Sequence, residues 1–362
     1  MGMSEEKTAE FSQKLCDILN YGALNAAMGI GYASGAFEAL GKFDAPASCE
    51  SIALQGGLNE RYLQEWLGVM VSGGIVEVSE AETDEDELYF LPKEYVPLLT
   101  RSGGNSNMGV YTQEIPLLTQ SSLNQVVSGM QTGEGIGYEN YSYFYSFMEE
   151  LANAKHEQML VETFLPSVMD GVIVERLRKG IHVCDMGCAD GVVLQLMAKA
   201  FPESTFVGFD ISEASIEKAQ QQAANLGLKN VQFVLQDAGA EVVEAEQFDY
   251  IMAFDVIHDL TRPFEALKNI QMMLKPEGVF SMVDITASSS VVQNKEHPMG
   301  MFLYTVSLMH CMPVGLVDNG MGLGMMWGRE QALDLCYAAG FSSVEEHAIP
   351  EDAFNSHYLC HK

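Results

Sequence analysis

A chain of 362 residues is long enough for two domains, each with a core of its own. Hydrophobic residues make up 48% of it, which excludes a disordered polymer, and the formal net charge of −31 sets the whole-chain field against nucleic acid and anionic membrane. The N-terminus shows no basic-plus-apolar signal, and no apolar run is long enough to span a bilayer, so the reading is cytoplasmic with no membrane partner. The seven cysteines are odd in number and scattered, which reads as reduced thiols rather than a disulfide framework. The spacings of Cys184, Cys188, Cys311, Cys336 and Cys360 match no zinc pattern, so no metal is expected.

Residues 1–20 are polar and helix-prone, and 21–41 carry a mostly buried helical pattern broken by glycines. Ser48 can cap a short helix through Leu54, and Asn59 a longer one with Tyr62, Leu63, Trp66, Leu67, Met70 and Val71 on its apolar face. Gly73-Gly74 stop that helix. Ile75–Val78 and Leu88–Leu91 read as a hairpin. Three helices and a hairpin suggest a winged helix over residues 1–100. The candidate recognition helix carries Glu60 and Glu65 against Arg61, and the wing tip holds Glu80, Glu82, Asp84, Glu85, Asp86 and Glu87. Such a surface repels phosphate, so dimerisation and substrate cover are expected of this domain and DNA binding is not.

Residues 101–170 read as a helical linker containing a dense aromatic cluster, Tyr138, Tyr141, Tyr143, Phe144, Tyr145 and Phe147. Packing is the simplest role for these rings. Alternatively some of them, Tyr143 among the candidates, line an acceptor pocket.

From residue 171 the chain alternates strand and helix. The pivot is Ile181–Gly191: a short apolar strand, a turn of small residues, and then Val193, Leu194, Met197 and Ala198 at helical spacing. Strand, glycine turn and helix form a nucleotide-binding unit. The spacing Gly187-x-x-x-Gly191 departs from G-x-G-x-x-G, and Asp185 and Asp190 place negative charge where a pyrophosphate would sit. That argues against NAD and for S-adenosylmethionine, whose sulfonium and ammonium are cationic. The next strand, Thr205–Phe209, ends at Asp210, an acid placed to accept hydrogen bonds from both ribose hydroxyls. Ser212 caps a helix; Val231–Leu235 and Phe248–Phe254 are strands; Pro263 opens a helix. Lys275–Gly278 reads as a turn into the strand Val279–Val283, which ends at Asp284. A Met-rich insertion, 287–327, precedes a helix and two final strands, Phe341–His347 and Phe354–Cys360. The expected fold is α/β: a doubly wound, Rossmann-like sheet with an antiparallel edge strand over 171–362, plus the N-terminal, mainly helical winged-helix domain.

Five stretches stand in one order: Val183–Gly191, Val207–Ser212, Gln236–Ala238, Phe254–Asp259 and Leu274–Phe280. In this the chain resembles the class I S-adenosylmethionine-dependent methyltransferases. Glu60-Arg61-Tyr62, Gly73–Val76, the run from His297-Pro298 to Met312, and Met326-Trp327-Gly328 make it similar to a subgroup with an N-terminal winged helix, found in mycobacteria and elsewhere. The resemblance implies that Asp185, Gly187, Cys188 and Gly191 wrap the methionine part, with Ala189 standing where the family usually has glycine. It implies that Asp210 holds the ribose and Ile211 packs on the adenine. Asp237 and Ala238 would meet the adenine edge, and Phe254 would close over the sulfonium. A homodimer through the N-terminal domain is a further implication.

The methyl group of a sulfonium is already electrophilic, so the protein must align a nucleophile and remove a proton where needed. His258, after the fourth strand of the unit, is the candidate base. His258-Asp259 is similar to the His-Asp pair of plant small-molecule O-methyltransferases, and Asp284 stands where those enzymes carry an acid that orients the histidine. His310 beside Cys311 is a second constellation, without two further ligands at workable spacing for a metal. His297, Tyr304, His310 and Trp327 are candidate acceptor contacts in a pliant Met-rich lining. Gly320–Gly324 follows no strand and reads as a flexible loop over the site rather than a phosphate loop. The expected activity is methyl transfer to a small molecule, to oxygen ahead of nitrogen. A non-catalytic S-adenosylmethionine-binding sensor is the alternative, and a dehydrogenase is disfavoured by the turn.

Overall fold

The computed structural model describes residues 4–79, 87–240 and 244–362, with only the backbone at Asn105. The chain forms two compact units, Met1–Gln120 and Ser121–Lys362. The division falls within the stretch read as a linker, so 101–120 lie in the first unit and 121–170 in the second. No helix among the described residues is long and apolar enough to cross a membrane.

The first unit holds α1 (Glu5–Ser34), α2 (Ala36–Gly41), α3 (Cys49–Gly56), α4 (Glu60–Ser72), a two-residue ribbon of β1 (Glu77–Val78) with β2 (Tyr89–Phe90), and α5 (Val96–Leu99). The expected caps form: Ser48 Oγ accepts the Ser51 N–H at 3.2 Å and Asn59 Oδ1 that of Tyr62 at 3.2 Å. Leu63, Trp66, Leu67 and Met70 are buried, whereas Tyr62 is 84% exposed and does not belong to the apolar face. Trp66 donates from its indole nitrogen to the Ala27 carbonyl at 2.8 Å. A Cβ at Gly31 would stand 2.4 Å from the Trp66 ring, so only glycine lets α1 pass that close. Of the expected wing-tip acids, Glu80, Glu82, Asp84, Glu85 and Asp86 lie outside the described residues.

α6 (Glu114–Thr132) contains the division between the units. The second unit continues with α7 (Ser142–Met159), α8 (Leu165–Ser167) and α9 (Val172–Lys179). Alternation then begins: β3 (His182–Met186), α10 (Val192–Ala200), β4 (Thr205–Asp210), α11 (Glu213–Asn225), β5 (Val231–Leu235), β6 (Phe248–Phe254), α12 (Pro263–Met273) and β7 (Leu274–Ile285). The Met-rich insertion forms α13 (Gly300–Met309) and α14 (Cys311–Gly315), followed by α15 (Gly328–Ala339), β8 (Ser343–Ile349) and β9 (Asp352–His361). The sheet order is β5-β4-β3-β6-β7-β9-β8. β3 to β7 run parallel, and β9 inserts antiparallel between β7 and β8. The order reverses between β4 and β6, on either side of β3, so the carboxyl ends of these strands bound the ligand crevice expected of such sheets. Lys275–Gly278 is not a free turn: Leu274 pairs with Phe248 and Val279 with Tyr250, and the four residues between them bulge within β7.

Buried on β9, His357 shares a hydrogen bond of 2.8 Å with Ser281 Oγ, which also accepts the Tyr250 hydroxyl at 2.9 Å. Burial pulls the His357 pKa down to about 3. The folded value lies below the unfolded one, so this contribution is complete above pH ~6.5 and is lost as pH falls towards the folded value. It amounts to about 2 kcal/mol lost by pH ~5. Denaturant unfolding between pH ~7 and ~5 is therefore expected to be flatter for His357→Gln than for the parent by that amount; parallel curves would show that His357 does not set the slope.

Candidate functional site

The turn after β3 is built from left-handed residues: Gly187 at φ 76°, Ala189 at 46° and Gly191 at 78°. The N–H groups of Gly187 and Cys188 both donate to the Phe209 carbonyl, at 2.8 and 3.0 Å, which ties the turn to the end of β4. A Cβ at Gly191 would lie 2.4 Å from the Phe233 ring, so glycine is required there. Asp210 closes the other side. Its Oδ2 accepts the Ala189 N–H at 2.9 Å and its Oδ1 that of Ser212 at 2.8 Å, so the carboxylate is fixed and keeps lone pairs for a ligand. Burial raises the Asp210 pKa despite these bonds, and burial followed by the nearby Asp210 charge lifts buried Asp185 to about 7. Asp190 is different. Asn153 reaches its carboxylate at 3.1 and 3.3 Å and Lys218 Nζ at 3.1 Å, so it is already paired.

Ala189 holds a conformation that costs an ordinary residue about 1–2 kcal/mol. Ala189→Gly removes that cost and adds about 0.4–1 kcal/mol of unfolded-state entropy. A net gain of about 0.5–1 kcal/mol is expected, read as a small rise in Tm; a fall would show that the methyl group packs favourably.

Around the crevice, Ile211 is 52% exposed after β4, an apolar side chain left open beside Asp210. Asp237 accepts the Gly239 N–H at 2.7 Å and pairs with Arg262, and the carbonyl of buried Ala238 accepts the Asn269 amide at 2.8 Å. Phe254, at the end of β6, packs edge-on against His156 and Phe164 with centroids at 4.9 and 5.3 Å.

Beyond β6 a single 3-10 turn, Ile257–Asp259, presents His258. The imidazole is 2% exposed, and its Nδ1 meets Asp284 Oδ1, on β7, at 2.7 Å. Its Nε2 lies 3.4 Å from Asp259 Oδ1. Burial alone would lower the His258 pKa, but the Asp284 and Asp259 carboxylates outweigh it and hold it well above the usual histidine value. The insertion delivers buried His310 and Cys311 to the same spot, at the junction of α13 and α14. His310 Nδ1 is 3.4 Å from Cys311 Sγ and 3.9 Å from Asp259 Oδ2, and its Nε2 shares a 3.0 Å hydrogen bond with the Tyr145 hydroxyl. Burial first, then Asp259, pushes the Cys311 thiol up to about 12.

Residues 177–310 match the family model of a methyltransferase domain, and residues 22–101 that of the Rv2258c-like winged HTH domain. The chain carries both domains. The chain is 31% identical over 100 residues to a ubiquinone biosynthesis O-methyltransferase of Coxiella burnetii, a match covering 28% of this chain and 42% of that protein. The chain thus spans less than half the length of that curated relative. Among solved structures, human N-acetylserotonin methyltransferase superposes with a TM-score of 0.63 at 16% identity, covering 100% of this chain and 99% of that one. An O-methyltransferase-like protein of Nostoc punctiforme gives 0.67 at 17% identity over 97% of this chain and 99% of that one. At these identities the superpositions speak for the fold.

Within the methyltransferase domain, the structure gathers Asp185, Gly187, Cys188, Ala189, Gly191 and Asp210 at one turn, and His258, Asp259, Asp284 and His310 at another place. Four expected acceptor contacts make none of these hydrogen bonds or ion pairs. Tyr143 is 71% exposed; residues two apart on a helix face apart, and Tyr145 is the ring that reaches His310. His297 uses both ring nitrogens locally: Nδ1 accepts the Met299 N–H at 3.2 Å, leaving Nε2–H to donate to the Thr286 carbonyl at 3.1 Å. Tyr304 accepts from Asn294 at 3.0 Å beside Ile285 and Met326. Trp327 is 3% exposed in the core beneath α12 and α15. Asp190 carries no unpaired charge towards a ligand, a correction to the count of two acids in the turn. Gly320–Gly324 is tied down, with Met321 N–H on the Thr261 carbonyl at 2.9 Å and Gly324 N–H on that of His258 at 3.1 Å. Sequence reasoning did not single out Tyr145 from its aromatic run; Tyr141 and Phe144 also pack on His310, and only the hydroxyl bond to Nε2 sets Tyr145 apart.

Proposed function

We propose that the chain transfers a methyl group from S-adenosylmethionine to a small-molecule acceptor, oxygen ahead of nitrogen, with His258 as the proton acceptor. The observation carrying this reading is the fixed Asp210 carboxylate facing a glycine turn, with His258 held by Asp284 at the adjoining strand end. The residues fit the cofactor. Asp185 and Asp210 suit hydroxyls and cationic groups, and the nearby Lys218 is taken up by Asp190 and Glu149 and unavailable to a pyrophosphate. When bound, S-adenosylmethionine supplies an electrophilic methyl group, and the chain's own part is alignment and proton removal. Near a sulfonium the imidazolium of His258 would be disfavoured by like charge, which opposes the Asp284 and Asp259 carboxylates. Asp284 orients Nδ1 and leaves Nε2 for the acceptor.

The same reading makes the protein a cytoplasmic homodimer built through the first unit, without a nucleic-acid partner. Exposed Phe11, Ile18 and Leu19 on α1 support the dimer, and pairing of Arg61 with Glu65 on α4 argues against phosphate binding.

Thermal unfolding with S-adenosylmethionine, S-adenosylhomocysteine and NAD tests the cofactor. A ligand at a hundred times its Kd stabilises by about 2.7 kcal/mol, a rise in Tm of about 5–10 °C for a unit of this size. The first two ligands should give it; a rise with NAD alone would overturn the reading. Conversion of S-adenosylmethionine to S-adenosylhomocysteine in the presence of a panel of phenols and amines then tests the transfer. Binding without turnover across the panel would favour a sensor.

A further inference from the structure

Three side chains that the methyl-transfer reading does not need together, His258, Asp259 and Cys311, converge on one buried point, and His310 stands beside them. His258 and Asp259 come from the turn after β6; His310 and Cys311 come from the insertion, some fifty residues later. The Asp259 carboxylate sits between the two imidazoles, Oδ1 at 3.4 Å from His258 Nε2 and Oδ2 at 3.9 Å from His310 Nδ1. Cys311 Sγ lies 3.4 Å from His310 Nδ1, and one ligand atom each from His258, Asp259 and Cys311 falls within 4.8 Å of the others. Asp259 Oδ1 is buried and makes no hydrogen bond.

We propose that His258 Nε2, Asp259, His310 Nδ1 and Cys311 Sγ form a binding site for a divalent cation of the zinc class. Metal–ligand bonds of ~2.0–2.3 Å in a tetrahedron put ligand atoms roughly 3.3–3.6 Å apart, and two of the observed separations are 3.4 Å. One thiolate, two imidazoles and a carboxylate suit zinc or cobalt and not magnesium or calcium, which take oxygen ligands. The far nitrogen of each imidazole already has the partner that a metal-bound histidine needs. His258 Nδ1 meets Asp284 at 2.7 Å, and His310 Nε2 meets the Tyr145 hydroxyl at 3.0 Å. Both contacts leave the inward nitrogens facing Asp259 and Cys311, the other two ligands of the proposed site. Asp259 Oδ1, buried without a hydrogen bond, is the polar atom that such an ion would satisfy.

The site has a consequence that rests on the function proposed above: one nitrogen cannot hold both a metal and a proton. With the cation on His258 Nε2, the chain has no free base there, and the metal-loaded form is the silent one. Metal would also pin the insertion to the β6 turn, which are otherwise joined by backbone bonds such as Gly324 to His258.

The test is a titration of the full-length, chelator-treated protein with Co²⁺, followed by visible and near-ultraviolet absorption, with Zn²⁺ as competitor. One equivalent of Co²⁺ should give the intense visible bands of a tetrahedral site and a thiolate-to-cobalt charge-transfer band, both abolished by Zn²⁺. Cys311→Ser should lose the charge-transfer band, and both it and His310→Gln should weaken binding at least tenfold, with circular dichroism reporting the fold of each variant. No tetrahedral spectrum, or a spectrum and affinity unchanged in both folded variants, would overturn the site and place any bound cobalt on the acidic surface. S-adenosylmethionine binding, measured in the same metal-free samples, separates the two readings. Its presence without a cobalt spectrum removes the metal site alone, and its absence beside a cobalt spectrum removes the cofactor alone.

Discussion

Asp210→Ala should weaken S-adenosylhomocysteine binding by about 10²–10⁴-fold. Charged hydrogen bonds contribute about 1.5–3 kcal/mol each, and a carboxylate spanning two ribose hydroxyls loses two of them. The carboxylate is already fixed by the Ala189 and Ser212 N–H groups, so little ordering is needed on binding. Removing it orphans both donors, and the turn carrying Ala189 loses a tie to β4. The second unit should therefore also lose about 1–3 kcal/mol. Asp210→Asn separates the two effects: its one carbonyl oxygen still accepts, but the amide presents a donor to the second partner. Calorimetric titration of the parent and both variants reads the affinities. A loss below tenfold in Asp210→Ala would remove Asp210 from the ribose contact.

Local physics made most of the sheet legible in the sequence. β5 and β6 occupy the spans that their apolar runs mark, Val231–Leu235 and Phe248–Phe254, although β6 is buried and β5, at the sheet edge, buries only Phe233. Ser212 caps α11 as its side chain requires, accepting the Ser215 N–H at 3.2 Å. Asp210 was visible for the same reason, since a strand end followed by a capped helix fixes where the acid must stand. The reading of Lys275–Gly278 went differently. Pro and Gly there signalled a turn, and the sheet absorbed them as a bulge against β6.

The second cluster lies beyond such local reasoning. His258 and His310 are far apart in sequence, and nothing in either neighbourhood encodes that α13 ends against the β6 turn. The search for ligands beside His310-Cys311 by spacing alone therefore found none, although the fold supplies His258 and Asp259. Tyr143 and Tyr145 are equal as composition and differ only in helical phase, which needs the helix axis to resolve. Trp327 and Tyr304 suggested a pocket because aromatic rings do line pockets; Trp327, buried with α12 and α15, and Tyr304, half-buried in a small cluster of the insertion, use the same chemistry for packing.

His258→Ala carries the other large expected effect, and its interpretation depends on the two carboxylates beside it. If Nε2 takes the acceptor proton, turnover should fall by about 10²–10⁴-fold, while S-adenosylmethionine affinity, set at the Asp210 turn, should change by less than about threefold. Alanine also leaves Asp284 and Asp259 buried without their common cation, and removing one partner from a buried ion pair costs about 3–5 kcal/mol. A loss of turnover in this variant alone could therefore report a collapsed site. His258→Gln restores most of the volume and a donor towards Asp284 but no basic nitrogen, so it should keep much of the stability and lose as much activity as alanine. Asp284→Asn completes the set. Its amide can still accept from Nδ1–H through oxygen but no longer stabilises an imidazolium, and it should fall between the parent and His258→Gln. Turnover in folded His258→Gln within tenfold of the parent would leave His258 as a structural cap of the turn after β6, and the acceptor would then have to reach the methyl group with its proton already gone.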